Sequence, residues 1–149
     1  WPNDIYWKNK KICGILIENL LMGHTISHTI VGIGLNVNQK KFLSDAPNPV
    51  SISNATKRTF NLETEMPKLI ESIKTRYLQL IKGDYEAIRE LYFHSLYHGD
   101  NFYYYEDENG SFAAKIDSVS NDGILSLRLV SGEIRKYAFK EVSFIITNK

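Results

Sequence analysis

Apolar and polar positions along this chain change their period twice, and each change marks a different kind of element. Over the first stretch the pattern is that of antiparallel sheet. A short strand covers Asp4–Trp7, a polar turn follows at Lys8-Asn9-Lys10, a second strand covers 12–21, Met22-Gly23-His24 turns the chain, and a third strand covers 25–37. Connections this short favour hairpins. Period-two alternation sets Ile26, His28, Ile30, Gly32, Gly34, Asn36 and Asn38 on one face of the third strand. The other face ends in Val31, Ile33, Leu35 and Val37, which want a core, while the first ends in bare glycine and two amides. Glycine inside a strand weakens it, and its presence points to a bulge, tight packing or the close approach of a ligand.

Residues 39–60 are polar and turn-rich, with Asp45-Ala46-Pro47-Asn48-Pro49 a loop. The period then becomes helical: Met66, Leu69, Ile70, Ile73, Tyr77, Leu80 and Ile81 share one face, with Thr64 as N-cap and Pro67 in the first turn. Gly83 stops this helix and Asp84 caps a second, whose apolar side carries Tyr85, Ile88, Leu91 and Tyr92. After Gly99 the period returns to two. Short strands at 103–105, 112–119, 124–130, 134–139 and 142–146 alternate with turns at Glu108-Asn109-Gly110, Asn121-Asp122-Gly123 and Ser131-Gly132. The expected architecture is α+β: a mixed or antiparallel sheet with tandem helices packed on it over 1–98, then a small SH3-like β-barrel over 99–149.

Composition narrows the function classes. With 43% apolar and 23% charged residues this is an ordinary globular chain, and a net charge of +1 leaves no overall electrostatic footprint for nucleic acid. A single cysteine, Cys13, excludes an internal disulfide framework and suits a small core filler better than a nucleophile. No apolar run reaches the length of a membrane span, and no signal peptide is visible. The chain opens without Met on a Trp-Pro dipeptide that feeds straight into a strand, which is the expectation for a piece of a longer protein. Of the histidines, only His94 and His98 sit at i,i+4, with no further ligand near them in sequence, so zinc is not expected. Tyr103 to Tyr105 read as a barrel-edge strand rather than a stacking platform for nucleic acid. Gly32-Ile33-Gly34 lacks the third glycine and the following helix of a dinucleotide fingerprint.

Four stretches in order carry a resemblance to a known family: Trp1-Pro2-Asn3-Asp4, Lys10-Lys11-Ile12-Cys13-Gly14-Ile15-Leu16-Ile17-Glu18, Val31-Gly32-Ile33-Gly34-Leu35-Asn36-Val37-Asn38-Gln39, and the late Lys140-Glu141-Val142-Ser143-Phe144. Together with tandem helices and a terminal barrel, they resemble the C-terminal part of the biotin–protein ligases. The resemblance implies a class II synthetase-like catalytic domain and a cytoplasmic, ATP- and magnesium-dependent ligase. Such an enzyme converts biotin to biotinyl-5'-AMP and passes it to a lysine of a biotin carboxyl carrier protein, such as that of acetyl-CoA carboxylase. It also implies a possible homodimer edge along residues 11–18. The family's Gly-Arg-Gly-Arg loop, which orders over the adenylate, is not in this sequence.

The resemblance assigns roles residue by residue. Lys11 matches a lysine touching both the biotin carboxylate and the phosphate; on residue type alone it would read as a solvated lysine in a turn. Gly14, Ile15 and Leu16 match the strand along which biotin lies, and Gly32 and Gly34 the backbone that reads its ureido ring. Strict alternation would put Lys11 and Gly14 on opposite faces, so a twist or bulge must intervene if both line the site. Asn36, and one face-repeat on Asn38, match the nucleotide side, while Phe42 and Pro49-Val50 border the adenine. Asp4 has two roles open, orienting the acceptor amine or, with Asn36, standing near magnesium; its plain alternative is a carboxylate paired with a neighbouring lysine. Asn3 is structural support, and Trp1 lines the adenine or packs. Two other functions stand beside the ligase: a non-catalytic protein- or ligand-binding module, given the absent loop, and transcriptional repression, which would need a DNA-binding domain upstream.

Overall fold

A computed structural model describes residues 1–43 and 48–146. It is α+β, with two antiparallel sheets and three helices among the described residues, and it divides into two compact units, one built on Asn3–Asp84 and the other on Tyr85–Lys149.

In the first unit, β1 (Asp4–Trp7), β2 (Lys10–Met22) and β3 (Thr25–Leu35) form a three-stranded sheet in chain order, β1-β2-β3. The two tight turns seen in the sequence make the two hairpins, and Gly23 sits at φ 62 in the second, where a side chain would be strained. The β2–β3 ladder runs regularly from Cys13↔Leu35 through Gly14↔Gly34 and Leu16↔Gly32 to Leu20↔His28. The β1–β2 ladder does not: Ile5 pairs with Cys13 but Tyr6 with Lys11, so Ile12 is an extra residue on β2.

The stretch 39–60, expected to be loop throughout, contains a short helix, α1 (Ile52–Thr56). Ser51 caps it by accepting a hydrogen bond from the Asn54 N–H at 3.0 Å, and Ser51 is fully buried. Asp45, Ala46 and Pro47 lie outside the described residues. The long helix α2 (Leu62–Lys82) begins before Thr64: Asn61 is the N-cap, its side chain accepting from Glu63 N–H at 2.9 Å, and Thr64 Oγ1 instead donates to Asn61 O at 2.9 Å. Pro67 therefore lies past the first turn. Gly83 ends the helix as expected, in the left-handed region with its N–H on Gln79 and Leu80 carbonyls.

The N-terminal half of α2 faces the apolar side of β3. Ile33, Leu35 and Val37 line one wall of an open cleft of about 610 Å³, and Phe60, Met66, Leu69, Ile70 and Ile73 line the other. Sheet and helix are thus apposed through the expected residues, but no residue of α2 is buried, and Met66 and Ile70 remain 60% and 56% exposed. The fully enclosed part of this unit is small and lies around Cys13, Val50, Ser51 and Ser53.

The second unit starts with α3 (Tyr85–His94). Five strands follow, β4 (Tyr103–Asp107), β5 (Gly110–Val119), β6 (Leu125–Leu129), β7 (Ile134–Tyr137) and β8 (Ser143–Phe144), in the order β7-β6-β5-β4-β8 and all antiparallel. Every second residue buries Tyr105, Ala114, Ile116, Leu125, Leu127 and Tyr137 into one core. A register shift between Ile116 and Ser118 resets the alternation, so that Val119 is buried as well. His98 lies flat between two rings, 3.8 Å from Tyr97 and 3.7 Å from Tyr103, with Phe144 edge-on at 5.8 Å. No helix among the described residues is long and apolar enough to cross a membrane.

Candidate functional site

The extra residue in β2 decides which side chains share a face of the first sheet. In a regular strand Lys11 and Gly14, three apart, would face opposite ways. With Ile12 bulged out, Lys11 turns onto the Gly14 face: a Cβ placed on Gly14 would lie 3.5 Å from Lys11 Cε and 3.6 Å from both Lys11 Nζ and Asp4 Oδ1. Lys11 Nζ donates to Asp4 Oδ1 at 2.8 Å, and both side chains are about one-third exposed, 33% and 28%. An ion pair this open contributes about 0–1 kcal/mol to stability, so its consequence is positional. It fixes one cation at the edge of a strip of bare backbone made by the cross-strand glycines Gly14 and Gly34 and by Gly32 opposite Leu16.

The backbone around the bulge is tied on three sides. Lys11 N–H donates to Asn48 O at 3.0 Å and Lys11 O accepts from Val50 N–H at 2.9 Å, so Pro49 forms a parallel bridge with Lys11. The carbonyl of the bulged Ile12 accepts from Asn36 N–H at 2.9 Å, and Asn36 O accepts from Ile52 N–H at 2.9 Å. Asn36 is therefore set, through one residue, against the same irregularity that places Lys11. Before the bulge, Asn3 O accepts from Ile15 N–H at 2.8 Å while Asn3 Nδ2 donates to Ile15 O at 2.7 Å.

The expected site residues distribute as follows. Asp4, Lys11, Gly14, Leu16, Gly32 and Gly34 share the open face, and Asn36 follows directly on the end of β3, its backbone bonded to Ile12 and Ile52. Ile15 turns its side chain to the other face, opposite Ile33, and spends its backbone groups on Asn3. Asn38 stands apart: its carboxamide donates to Phe60 O at 2.7 Å and accepts from Phe60 N–H at 3.0 Å, holding two chain segments together. Phe42 is half-buried, and Val50 is 5% exposed with its N–H directly on Lys11. Asp4 forms the lysine pair that was its plain alternative, and Lys11, expected on residue type alone to be a solvated lysine in a turn, is instead a strand residue one-third exposed and paired with Asp4.

Two participants were not legible beforehand. Asn48 holds the Lys11 N–H and also donates from its side chain to Asn9 O; its only signal was the Pro49 after it, which favours extended backbone. Tyr6 pairs with Lys11 in register and shares the Asp4 face, and its phenol is pushed up by burial and by the Asp4 charge, against the opposing pull of Lys11. Burial, then the Asp4 charge, likewise pushes up the Cys13 thiol, which keeps it protonated. Among the described residues no three His, Cys, Asp or Glu side chains cluster as a metal cage.

Comparison with known proteins bears on this geometry at two levels. The class comes first: residues 1–36, the three-stranded sheet with its entry and exit, match the model of the Biotin/lipoate A/B protein ligase family. At the level of single proteins, the chain is 28% identical over 144 residues to the bifunctional ligase/repressor BirA of Bacillus spizizenii and, equally, to that of Bacillus subtilis. The aligned region covers 93% of this chain but 43% of either relative, so the chain spans less than half the length of these curated proteins. Its fold is that of the biotin protein ligase of Aquifex aeolicus. The apo structure of that protein superposes at TM-score 0.73 and 21% identity, covering 99% of this chain and 64% of the other. The structure of the same protein in complex with biotin and ATP superposes at 0.72, covering 99% and 61%. The chain is similar, over nearly its whole length, to the C-terminal part of biotin–protein ligases.

Proposed function

We propose that this chain carries one wall of a biotin–protein ligase active site, in which biotin is adenylated by ATP and then transferred to a lysine of a biotin carboxyl carrier protein. The observation that carries the reading is the bulge at Ile12, which brings a lysine to a carboxylate beside a glycine strip. A neighbour of the same fold holding biotin and ATP supports it.

In the first step a carboxylate oxygen of biotin attacks the α-phosphorus of ATP and pyrophosphate leaves. Two anions must approach each other, and a lysine ammonium is a compact charge that can sit between them. Lys11, held by Asp4 at 2.8 Å, is that cation, already placed before substrate arrives. Gly32 and Gly34 let the head group of biotin reach strand backbone with no side chain in the way, and Leu16 gives its chain an apolar neighbour. Asn36 faces the nucleotide, its carboxamide able to donate to phosphate and accept from bound water, with Phe42 and Val50 towards the adenine. Asn38 is the weakest of the nucleotide-side candidates, given its bonds to Phe60.

Magnesium would enter with ATP. The ion takes oxygen ligands, commonly one or two carboxylates plus substrate phosphates, and Asp4 and Asn36 offer a carboxylate and a carboxamide oxygen of the fitting kind. When bound, it neutralises phosphate charge. In the second step the acceptor amine attacks the acyl carbon of the mixed anhydride and AMP leaves. Lys11 then offsets charge on the tetrahedral oxyanion and Asp4 orients the amine.

The test is biotin transfer by the full-length protein, with ATP, magnesium, biotin and an apo carrier domain. Lys11→Ala should lower biotinyl-adenylate formation by about a hundredfold or more, with an unchanged circular dichroism spectrum. Near-normal turnover by a well-folded variant removes Lys11 from the mechanism.

A further inference from the structure

Asn3 binds the strand opposite in an irregular way. In a regular antiparallel pair two residues exchange bonds through their backbone N–H and C=O groups. Opposite Ile15, Asn3 supplies its backbone carbonyl at 2.8 Å, but the Ile15 carbonyl is met by the Asn3 side-chain Nδ2 at 2.7 Å. The carboxamide does the work of a backbone donor. It does so next to the last regular pairs, Asp4↔Gly14 and Ile5↔Cys13, immediately before the ladder skips Ile12.

A bulge survives only while the register on both of its sides is held, because a one-residue slip restores regular alternation and turns side chains to the other face. On the far side, Lys11 is held by Asn48 and Val50. On the near side, the two hydrogen bonds between Asn3 and Ile15 are the anchor. A slip of β1 would take Asp4 off Gly14 and Lys11 off Asp4. We infer that Asn3 is a positioning residue: by clamping Ile15 it keeps the Ile12 bulge in place and so holds Lys11 at Asp4, over the glycine strip. The inference rests on the ligase reading of that site.

The experiment is a double-mutant cycle in the full-length protein, measuring biotin transfer at saturating biotin and ATP, with thermal unfolding alongside. Asn3→Asp keeps the shape but, ionised, offers no donor to the Ile15 carbonyl; kcat should fall by about tenfold or more while the protein stays folded at assay temperature. Asn3→His places Nδ1–H where the Asn Nδ2 stood, and should recover kcat to within about threefold of the native value. A residue acting through Lys11 has nothing left to position once Lys11 is gone, so Asn3→Asp should cause no loss beyond that of Lys11→Ala in the double variant. If Asn3→Asp does not fold, Asn3→Ser, too short to reach Ile15, takes its place with the same readings. A folded variant lacking the donor yet within about twofold of native kcat overturns the inference, as do losses that multiply in the double variant or no recovery with His. Loss with Lys11→Ala and none with Asn3→Asp defeats the inference alone; full activity of Lys11→Ala removes Lys11 from the mechanism and defeats the inference with it, and only the absence of biotin transfer by the native protein defeats the ligase reading.

Discussion

Among the described residues, a Cβ added at Gly32 would meet only Leu16, its Cβ and its carbonyl oxygen both at 3.9 Å, which leaves room for a side chain there. That turns Gly32→Val into a clean probe. The fold should tolerate it, while calorimetric affinity for biotin should drop by about tenfold or more, since a branched side chain would stand in the strip. Unchanged affinity would mean the ligand does not lie on this face. The contrast between Gly32 and Lys11 shows what single residues reveal in sequence. The glycine face was legible because period two is a property of any strand. The lysine's facing was not, because nothing about Lys11-Ile12-Cys13 announces that Ile12 is the residue left out of the ladder. His98 makes a separate prediction. Burial between Tyr97, Tyr103 and Phe144 pushes its pKa below the usual histidine value, the Asp100 charge opposes this, and its Nδ1 is enclosed without a hydrogen-bond partner among the described residues. The folded state thus prefers neutral His98, and the unfolded chain takes up the proton first as pH falls through about 6.5. Stability should be full above that pH and decline below it, until the folded-state pKa is passed. Urea midpoints at pH 7.5 and 5.5 should differ less in His98→Phe than in the native protein; equal differences would exclude His98 as the source.

At the scale of elements, the strands and the long helix were readable and their ends were not. Thr64 suits an N-cap by residue type and stands just before the apolar stripe that starts at Met66. The chain uses Asn61, because Leu62 adds to the apolar cleft and Thr64 then bonds back to the Asn61 carbonyl. Asn61→Ala should therefore cost about 1 kcal/mol by urea unfolding, and Thr64→Ala distinctly less. The reverse order would restore the later start. The helix α1 escaped notice for a different reason: five residues are too few to show a 3.6-residue period. What builds it is Ser51, a polar side chain fully buried because it closes the first turn. In the second unit, strand positions followed from alternation and turn residues, while the resetting bulge near Asp117 was no more visible than the one at Ile12.

Taken whole, the molecule has its apolar residues unevenly housed. The second unit encloses Tyr105, Leu125 and Leu127 completely, whereas the first leaves Leu16, Ile17, Leu20, Leu21, Met22, Ile26 and Ile30 more than half exposed. Nothing in the sequence distinguishes those residues from buried ones; exposure depends on what else the fold brings near, and the chain spans less than half of the curated relatives it matches. The strand β3 has a further consequence. Among the described residues it pairs with β2 on one side and forms the end of its sheet, and along Thr25–Leu35 it carries no lysine, glutamate, aspartate or proline. Charged residues and prolines are what keep an open strand from recruiting a copy of itself. As an isolated polypeptide the 149 residues should therefore be colloidally unstable, thickening into thioflavin-binding fibrils as concentration rises. Ile30→Lys should delay that conversion, as seen in lag times by fluorescence. For anyone handling the protein, shelf life would then be governed by one uncharged strand rather than by the stability of the fold.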